Sequence, residues 1–355
     1  MKKILIVIIL LILIPIKTYA ISSECIVVMD QDSKRIIYQK NKDKQRLVAS
    51  ISKIMTALLA VESGKMDDIV KIDDTVLKSY GSGIYIQPKE EISLRDLVYG
   101  LMLRSGNDAA LMIAKYVGKD EEKFVKLMNE KAKKIGMKNS NFQNPSGLDN
   151  GDGNGNFSTA YDMAILMSYA MKNDEFKIIT GTKKHTVKTN RMTYVWNNKN
   201  KLLNNYQYTT GGKTGFTEKA KRTLVSTATY NNLNLVIVTL NDGNDFLNHQ
   251  NLYEEMFNTY KNYKILSKKN FKVIDDKYYK DKLYINNDLY YPLKDNEGQE
   301  FTTKIKLEKI KNYNNNQKVG IVEIYFKKVL VYEEDIYVEV KEKKSIINRI
   351  KGWFK

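Results

Sequence analysis

Val48-Ala49-Ser50-Ile51-Ser52-Lys53-Ile54-Met55-Thr56 runs without a break into an apolar helical pattern made by Ile54, Met55, Leu58, Leu59 and Val61. Ser50 therefore falls at or near a helix start, where serine is a favoured cap. Lys53 follows three residues later, so on a helix the two side chains project from one face. A serine hydroxyl is a poor nucleophile until a base takes its proton, and an amine one turn away is one way to supply that base. Taken alone the spacing is weak. A lysine-rich chain produces Ser-x-x-Lys by chance, and a capped core helix with a solvated lysine explains it as well. The two histidines, His185 and His249, lie near no nucleophile in sequence and read as structural or exposed.

Two downstream stretches change the balance. Arg104-Ser105-Gly106-Asn107 falls at the junction of two apolar helices, where a hydroxyl and an amide in a tight turn can point into one cavity. Helix capping is the plain alternative, since Ser and Asn both cap well. Lys213-Thr214-Gly215 opens a strand. Gly215 lets a ligand's backbone come close, the strand edge can pair with an extended peptide, and Lys213 and Thr214 can bind a carboxylate. A simple turn is the alternative there.

In this order and at these separations the three stretches resemble the active-site serine penicillin-recognising enzymes, whose set is S-x-x-K, S-D-N and K-T-G. The surroundings narrow the resemblance. Ala49 to Thr56, Ser105-Gly106-Asn107-Asp108-Ala109, Phe142-Gln143-Asn144-Pro145-Ser146-Gly147-Leu148, Asn200-Lys201-Leu202-Leu203 and Gly212-Lys213-Thr214-Gly215-Phe216-Thr217 look like the low-molecular-mass penicillin-binding proteins that are D-alanyl-D-alanine carboxypeptidases. The resemblance covers roughly residues 25–262.

It implies an α+β fold of the serine β-lactamase/transpeptidase type, an antiparallel sheet flanked by helices. It also implies a division of labour. Ser50 attacks the carbonyl between two D-alanines and forms an acyl-enzyme. Lys53 takes its proton and so must be neutral when it acts, which burial and a second cation, expected to be Lys213, would favour. Ser105 relays a proton to the leaving amine, and Asn107 orients Lys53 and the substrate backbone. Lys213 and Thr214 hold the terminal carboxylate, while backbone N–H groups of Ser50 and Phe216 form the oxyanion hole beside Gly215. No metal or organic cofactor is implied. The implied partners are peptidoglycan stem peptides and β-lactam antibiotics.

Departures matter as well. Gly106 stands where class A β-lactamases carry Asp, and the loop 139–157 holds no glutamate to activate a deacylating water; Asp149 and Asp152 belong to a Gly/Asn-rich turn. A β-lactamase is therefore disfavoured. A catalytically weak wall-binding protein is the other alternative, disfavoured by the intact set of six polar side chains.

The rest of the chain fits around this core. Its 355 residues, 43% hydrophobic and 28% charged, suffice for one large domain and a small one. Met1-Lys2-Lys3, an apolar run from Ile4 to Ile16 and Lys17-Thr18-Tyr19-Ala20 read as a secretory signal peptide, residues 1–20. Cys25 is the lone cysteine and opens an apolar run, so a buried strand position is expected, with no intramolecular disulfide. A net charge of +17 is compatible with nucleic acid, but export, scattered lysines and the absence of a motif exclude it; anionic wall polymers and lipid head groups fit better.

Strands are expected at Cys25–Asp30, 34–39, 222–230 and 233–241, a hairpin at 182–196, and helices near 97–104, 109–117, 121–135, 159–171 and 252–260. Residues 21–264 thus form the penicillin-binding domain. From 265 to 340 period-two alternation at 271–274, 282–285, 302–307, 319–326, 329–331 and 336–340 predicts a small all-β domain. Residues 341–355 place Ile346, Ile347, Ile350, Trp353 and Phe354 on one face and basic residues on the other, an amphipathic helix suited to a membrane surface. The expected location is the outer face of the cytoplasmic membrane, towards the cell wall.

Overall fold

Successive side chains of a strand point to opposite faces, so a strand that is apolar throughout needs cover on both sides. Cys25–Asp30 is such a strand, buried at every position in the computed structural model, which describes residues 21–149, 153–274 and 276–340. Cys25, Val27 and Met29 enter one apolar core, Ile26 and Val28 another. Leu233–Leu240 alternates the same way, with Val236, Val238 and Leu240 in the first core and Leu233, Leu235 and Ile237 in the second. These two strands are central in a five-stranded antiparallel sheet ordered Ile36–Lys40, Cys25–Asp30, Leu233–Leu240, Lys221–Tyr230, Thr209–Thr217. Thr209–Thr217, which carries Lys213 in its middle rather than at its head, is an edge strand.

Helices cover both faces. Lys53–Glu62, buried from Lys53 to Val61, is the hub of the larger core. Leu94–Arg104, Asn107–Gly118, Glu121–Ile135 and Ala160–Ala170 pack around it. Their starts follow the expected chemistry. Ser93, Asp120 and Thr159 each accept a backbone N–H from the first turn. Asp245–Thr259 lies on the other face, contributing Leu252, Tyr253 and Met256.

After Tyr260 the chain makes the expected all-β domain. A four-stranded sheet runs Leu283–Tyr284, Val329–Val338, Gln317–Phe326, Phe301–Leu307 around Val319, Val322, Ile324, Ile336 and Val338. Arg35, between the first two strands of the main sheet, joins the two parts. Its guanidinium bonds both Glu297 oxygens and the Pro292 carbonyl and lies 5.0–5.6 Å from the ring centres of Tyr260, Tyr291 and Phe326.

Several expectations are corrected. Residues 271–274 form no strand, and 329–331 with 336–338 belong to one strand, Val329–Val338, which stops two residues short of the expected end. Tyr260–Leu266 pairs with Leu289–Lys294, and short helices Asp174–Gly181 and Leu202–Asn205 were not foreseen. The expected signal peptide and the 341–355 helix lie outside the described residues. No described helix is long and apolar enough to cross a membrane.

Candidate active site

Ser50 is not a helix cap. It sits in a 3-10 turn, Ala49–Ser52, that precedes the α-helix, and no side chain caps either segment. Ala49 enters the turn at φ +50°. This bend leaves the Ser50 hydroxyl half-exposed above Lys53, whose Nζ donates to Ser50 Oγ at 3.0 Å, to Asn107 Oδ1 at 2.7 Å and to the Ser146 carbonyl. Lys53 is fully buried. Burial, which disfavours the ammonium, and then the charge of Lys199, opposed by that of Asp108, together pull its pKa from 10.5 down to about 7. Lys199, at the exposed rim, is thus a further cation acting on Lys53, beside the expected Lys213, since Lys53 and Lys213 disfavour each other's charge.

Lys213 is buried on the facing strand, where it donates to Ser105 Oγ at 2.9 Å and to the Thr214 carbonyl at 2.7 Å. Burial and then the charges of Lys53 and Lys199 hold it well below its ordinary value. Ser105 takes the left-handed conformation, φ +65°, at the end of Leu94–Arg104; Gly106 is extended, and Asn107 starts the next helix. That break turns two consecutive helices into a bracket with Ser105 and Asn107 on its inner side. The Asn107 amide nitrogen donates to the Tyr80 carbonyl at 2.7 Å, which fixes its oxygen towards Lys53.

The strand and the nucleophile turn are in contact. A Cβ on Gly215 would come within 3.0 Å of Ser50 N and 3.1 Å of Ile51 N, and would collide with Thr223 Oγ1, which itself bonds the Val48 carbonyl at 3.0 Å. Thr214 and Gly215 are half-buried and Phe216 is exposed at the rim. Phe142 to Leu148 lie beneath the turn. Asn144 Oδ1 accepts the N–H groups of Ser146 and Gly147, and Thr56 bonds the Pro145 carbonyl. Gly147, at φ +79°, packs where any Cβ would strike the Ala49 carbonyl.

Five of the six polar side chains named from the sequence are thus brought together, Ser50, Lys53, Ser105 and Asn107 from the helical segments and Lys213 from the strand; Thr214 follows Lys213 on that strand, where its carbonyl accepts from the Lys213 amine. Four participants escaped the sequence reading. The Ser146 carbonyl and Lys199 are two. Asp108 is the third, buried and accepting N–H from Ile84, Tyr85 and Ala109. Thr180 is the fourth; its hydroxyl bonds both the N–H and the carbonyl of Gly212. Ser146 carried a signal within the stretch Phe142 to Leu148, and Asp108 another as a carboxylate adjoining the middle motif; Lys199 and Thr180 carried none.

The histidines stand apart. His249 is buried between Ser226 and Thr239, and burial pulls its pKa to about 3; His185 meets Asp96 at 2.7 Å and stacks on Tyr99. Among the described residues no three His, Cys, Asp or Glu side chains cluster as a metal site would require.

An antiparallel sheet between helical layers, with two Ser–Lys contacts converging where its edge strand meets a buried helix, is the layout of the penicillin-recognising serine class. Residues 15–244 match the Peptidase S11 family, D-alanyl-D-alanine carboxypeptidase, and the chain belongs to that family. It is 36% identical over 218 residues to the D-alanyl-D-alanine carboxypeptidase DacF of Bacillus subtilis, across 60% of this chain and 55% of that protein. With DacB2 of Mycobacterium tuberculosis, a carboxypeptidase of the same description, identity is 31% over 214 residues, 60% of this chain and 73% of the relative. The chain thus spans little more than half the length of DacF. Penicillin binding protein 5 from Haemophilus influenzae superposes with a TM-score of 0.73 at 26% identity, over 91% of this chain and 98% of that structure.

Proposed function

We propose that this protein is a serine-type D-Ala-D-Ala carboxypeptidase that removes the terminal D-alanine from peptidoglycan stem pentapeptides through an acyl-enzyme on Ser50. The observation that carries the reading is Lys53 Nζ, 3.0 Å from Ser50 Oγ in surroundings that bring its pKa to about 7. A lysine that is neutral half the time at neutral pH is an effective general base; one at 10.5 is almost never neutral there.

Lys53 takes the hydroxyl proton as Ser50 Oγ attacks the scissile carbonyl. The oxyanion that forms is held by the backbone N–H groups of Ser50 and Phe216, one such donor being worth about 3 kcal/mol. Ser105, itself held by Lys213, passes a proton to the leaving amine, and D-alanine departs. Water then hydrolyses the ester and restores the Ser50 hydroxyl. Lys213 and Thr214 bind the carboxylate of the departing residue, and the free edge of Thr209–Thr217 pairs with the peptide backbone. The same chemistry accepts a β-lactam, and the lack of a glutamate in the 139–157 loop favours a long-lived adduct. Export through residues 1–20 and attachment through residues 341–355 would place the site against the wall.

The test is incubation with a diacyl-D-Ala-D-Ala peptide. Wild type should release D-alanine and Ser50→Ala should not. Wild type should also gain the mass of one penicillin on Ser50, persisting for minutes. D-alanine release surviving in Ser50→Ala, or an adduct on Ser52 or Ser105, refutes the assignment; a folded protein that takes the adduct but releases no D-alanine indicates a wall-binding role instead.

A further inference from the structure

The start of the edge strand Thr209–Thr217, the short helix Leu202–Asn205 and the helix Asp245–Thr259 border a cavity of about 580 Å³, with Lys183 at its side. Thr209 lies four residues before Lys213, about 13 Å along an extended strand. With the carboxylate of the departing D-alanine on Lys213 and the acyl carbonyl at the Phe216 N–H, the retained stem runs towards Thr217. It leads away from this cavity, which is therefore no part of the cleft at Ser50.

Its wall is polar and unfinished. Tyr206 and Thr209 carry hydroxyls that are buried and have no hydrogen-bond partner, and Tyr206 as a whole is 4% exposed. Burial, and then the Glu254 carboxylate beside it, push the Tyr206 pKa up, so this hydroxyl keeps its proton; the two groups are nevertheless not placed to form a good hydrogen bond. Lys183, Asn204, Gln207 and Gln250 line the same space, and their side chains make no hydrogen bond or ion pair among the described residues. A buried hydroxyl left unpaired costs stability, and two of them beside four uncommitted polar groups mark a place completed by another molecule.

The composition of the wall selects that molecule. Leu203, itself buried, is the one aliphatic residue lining the cavity, which offers nothing to a lipid chain or an apolar side chain. Lys183 and Glu254 balance, which gives a phosphate no net attraction. Amides present a donor and an acceptor side by side, the complement of neutral hydroxyl and acetamide groups. We propose that this cavity binds a neutral N-acetylated sugar, and that its occupant is the glycan strand of the wall, held apart from the stem peptide at Ser50. The choice of the glycan strand rests on the carboxypeptidase reading; the sugar site does not.

The test is calorimetric titration of the full chain with a tetramer of N-acetylglucosamine and with maltotetraose, which has the hydroxyls without the acetamides. The first should bind, and the second about tenfold more weakly. Gln207→Ala/Gln250→Ala should weaken binding of the first about tenfold, the worth of two hydrogen bonds. Tyr206→Phe should weaken it too while leaving the unfolding midpoint at or above that of wild type, since the hydroxyl removed has no partner in the folded chain. In these variants D-alanine release from a short soluble peptide should stay at the wild-type rate, and release from glycan-borne stems should fall. No binding of the tetramer, or binding unchanged in both variants, overturns the sugar site. Maltotetraose bound as tightly overturns the selection for the acetamide. Unimpaired release from glycan-borne stems by variants that have lost the tetramer overturns the glycan strand as occupant. Failure of the wild type to release D-alanine from any peptide overturns the carboxypeptidase reading and leaves the sugar site standing.

Discussion

The pH at which Ser50 becomes reactive follows from where the fold puts Lys53. The base must be neutral, and its pKa is about 7. The neutral fraction is then about 0.9 at pH 8 and about 0.01 at pH 5, a drop of roughly ninetyfold; at the ordinary lysine value it would already be below about 0.01 at pH 8. The second-order rate of acylation by a fluorescent penicillin, measured under single turnover, should rise tenfold per pH unit below 7 and level off above it. Unfolding does not mimic this limb. A lysine whose folded pKa lies below its unfolded value makes stability rise with pH between about 7 and 10.5, because the unfolded chain binds the extra proton there, and adds no slope below 7. A thermal midpoint recorded at each pH separates the two effects. Lys199→Gln removes a cation that depresses Lys53 and should move the limb to higher pH. Asp108→Asn removes an anion that raises it and should move the limb to lower pH, with some loss of stability where an amide faces the N–H groups of Ile84 and Tyr85. A rate independent of pH from 5 to 9, or a Lys199→Gln limb displaced downward, would refute Lys53 as the base.

Other expectations are quickly checked. Lys213→Ala should impair peptides with a free terminal carboxylate about ten- to hundredfold more than amidated analogues, the worth of a charge-assisted contact; equal loss on both would assign Lys213 to Ser105 alone. Gly215→Ala drives its methyl into the buried Thr223 Oγ1 and to 3.0 Å from Ser50 N, forcing the strand off the Ser50 turn; acylation should fall about a hundredfold and the unfolding midpoint should drop as well. Arg35→Ala strips Glu297 of its partner and three rings of a cation, and should cost about 1–3 kcal/mol in denaturant titrations while leaving acylation intact. A chain ending at Val340 should retain D-alanine release and lose binding to anionic vesicles; flotation with vesicles unchanged would place the attachment elsewhere.

Much of this was legible in the residues, and what was not has identifiable causes. Apolar runs told the truth where burial is two-sided, as at Cys25–Asp30, because nothing but a sheet interior satisfies them. The helix expected at 121–135 has those bounds, whereas the one expected from 97 begins three residues earlier, at Leu94, where Ser93 caps it. The motif serine was read as a cap because a propensity cannot foresee that Gly147 and the Ala49 bend hold Ser50 out of the helix. Leu289–Lys294 carries Pro292 and gave no alternation, yet forms a strand because it pairs with Tyr260–Leu266 across the sheet edge. Likewise 271–274 alternates without a partner and stays irregular. Lys199 and Thr180 act through residues distant in sequence, so only the folded chain exposes them.

The site is costly to fold. Ala49 and Ser105 occupy a backbone region that side chains avoid, and Lys53 and Lys213 lose their hydration in a place where each disfavours the other's charge. These costs have one effect in common: they prevent Ser50 from relaxing into an inert cap and Lys53 from relaxing into a solvated cation. The surrounding fold supplies the restraint. The large core fixes the helix below, the loop through Ser146 and Gly147 presses from one side, and the edge strand with Thr180 behind it presses from the other. Loosening any of the three lets water reach Lys53, returns its pKa towards that of free lysine and removes the base. Reactivity at Ser50 should therefore be lost through changes at Gly147 or Thr180 that touch neither substrate nor nucleophile, and the acid limb of the acylation profile is where that loss will register first.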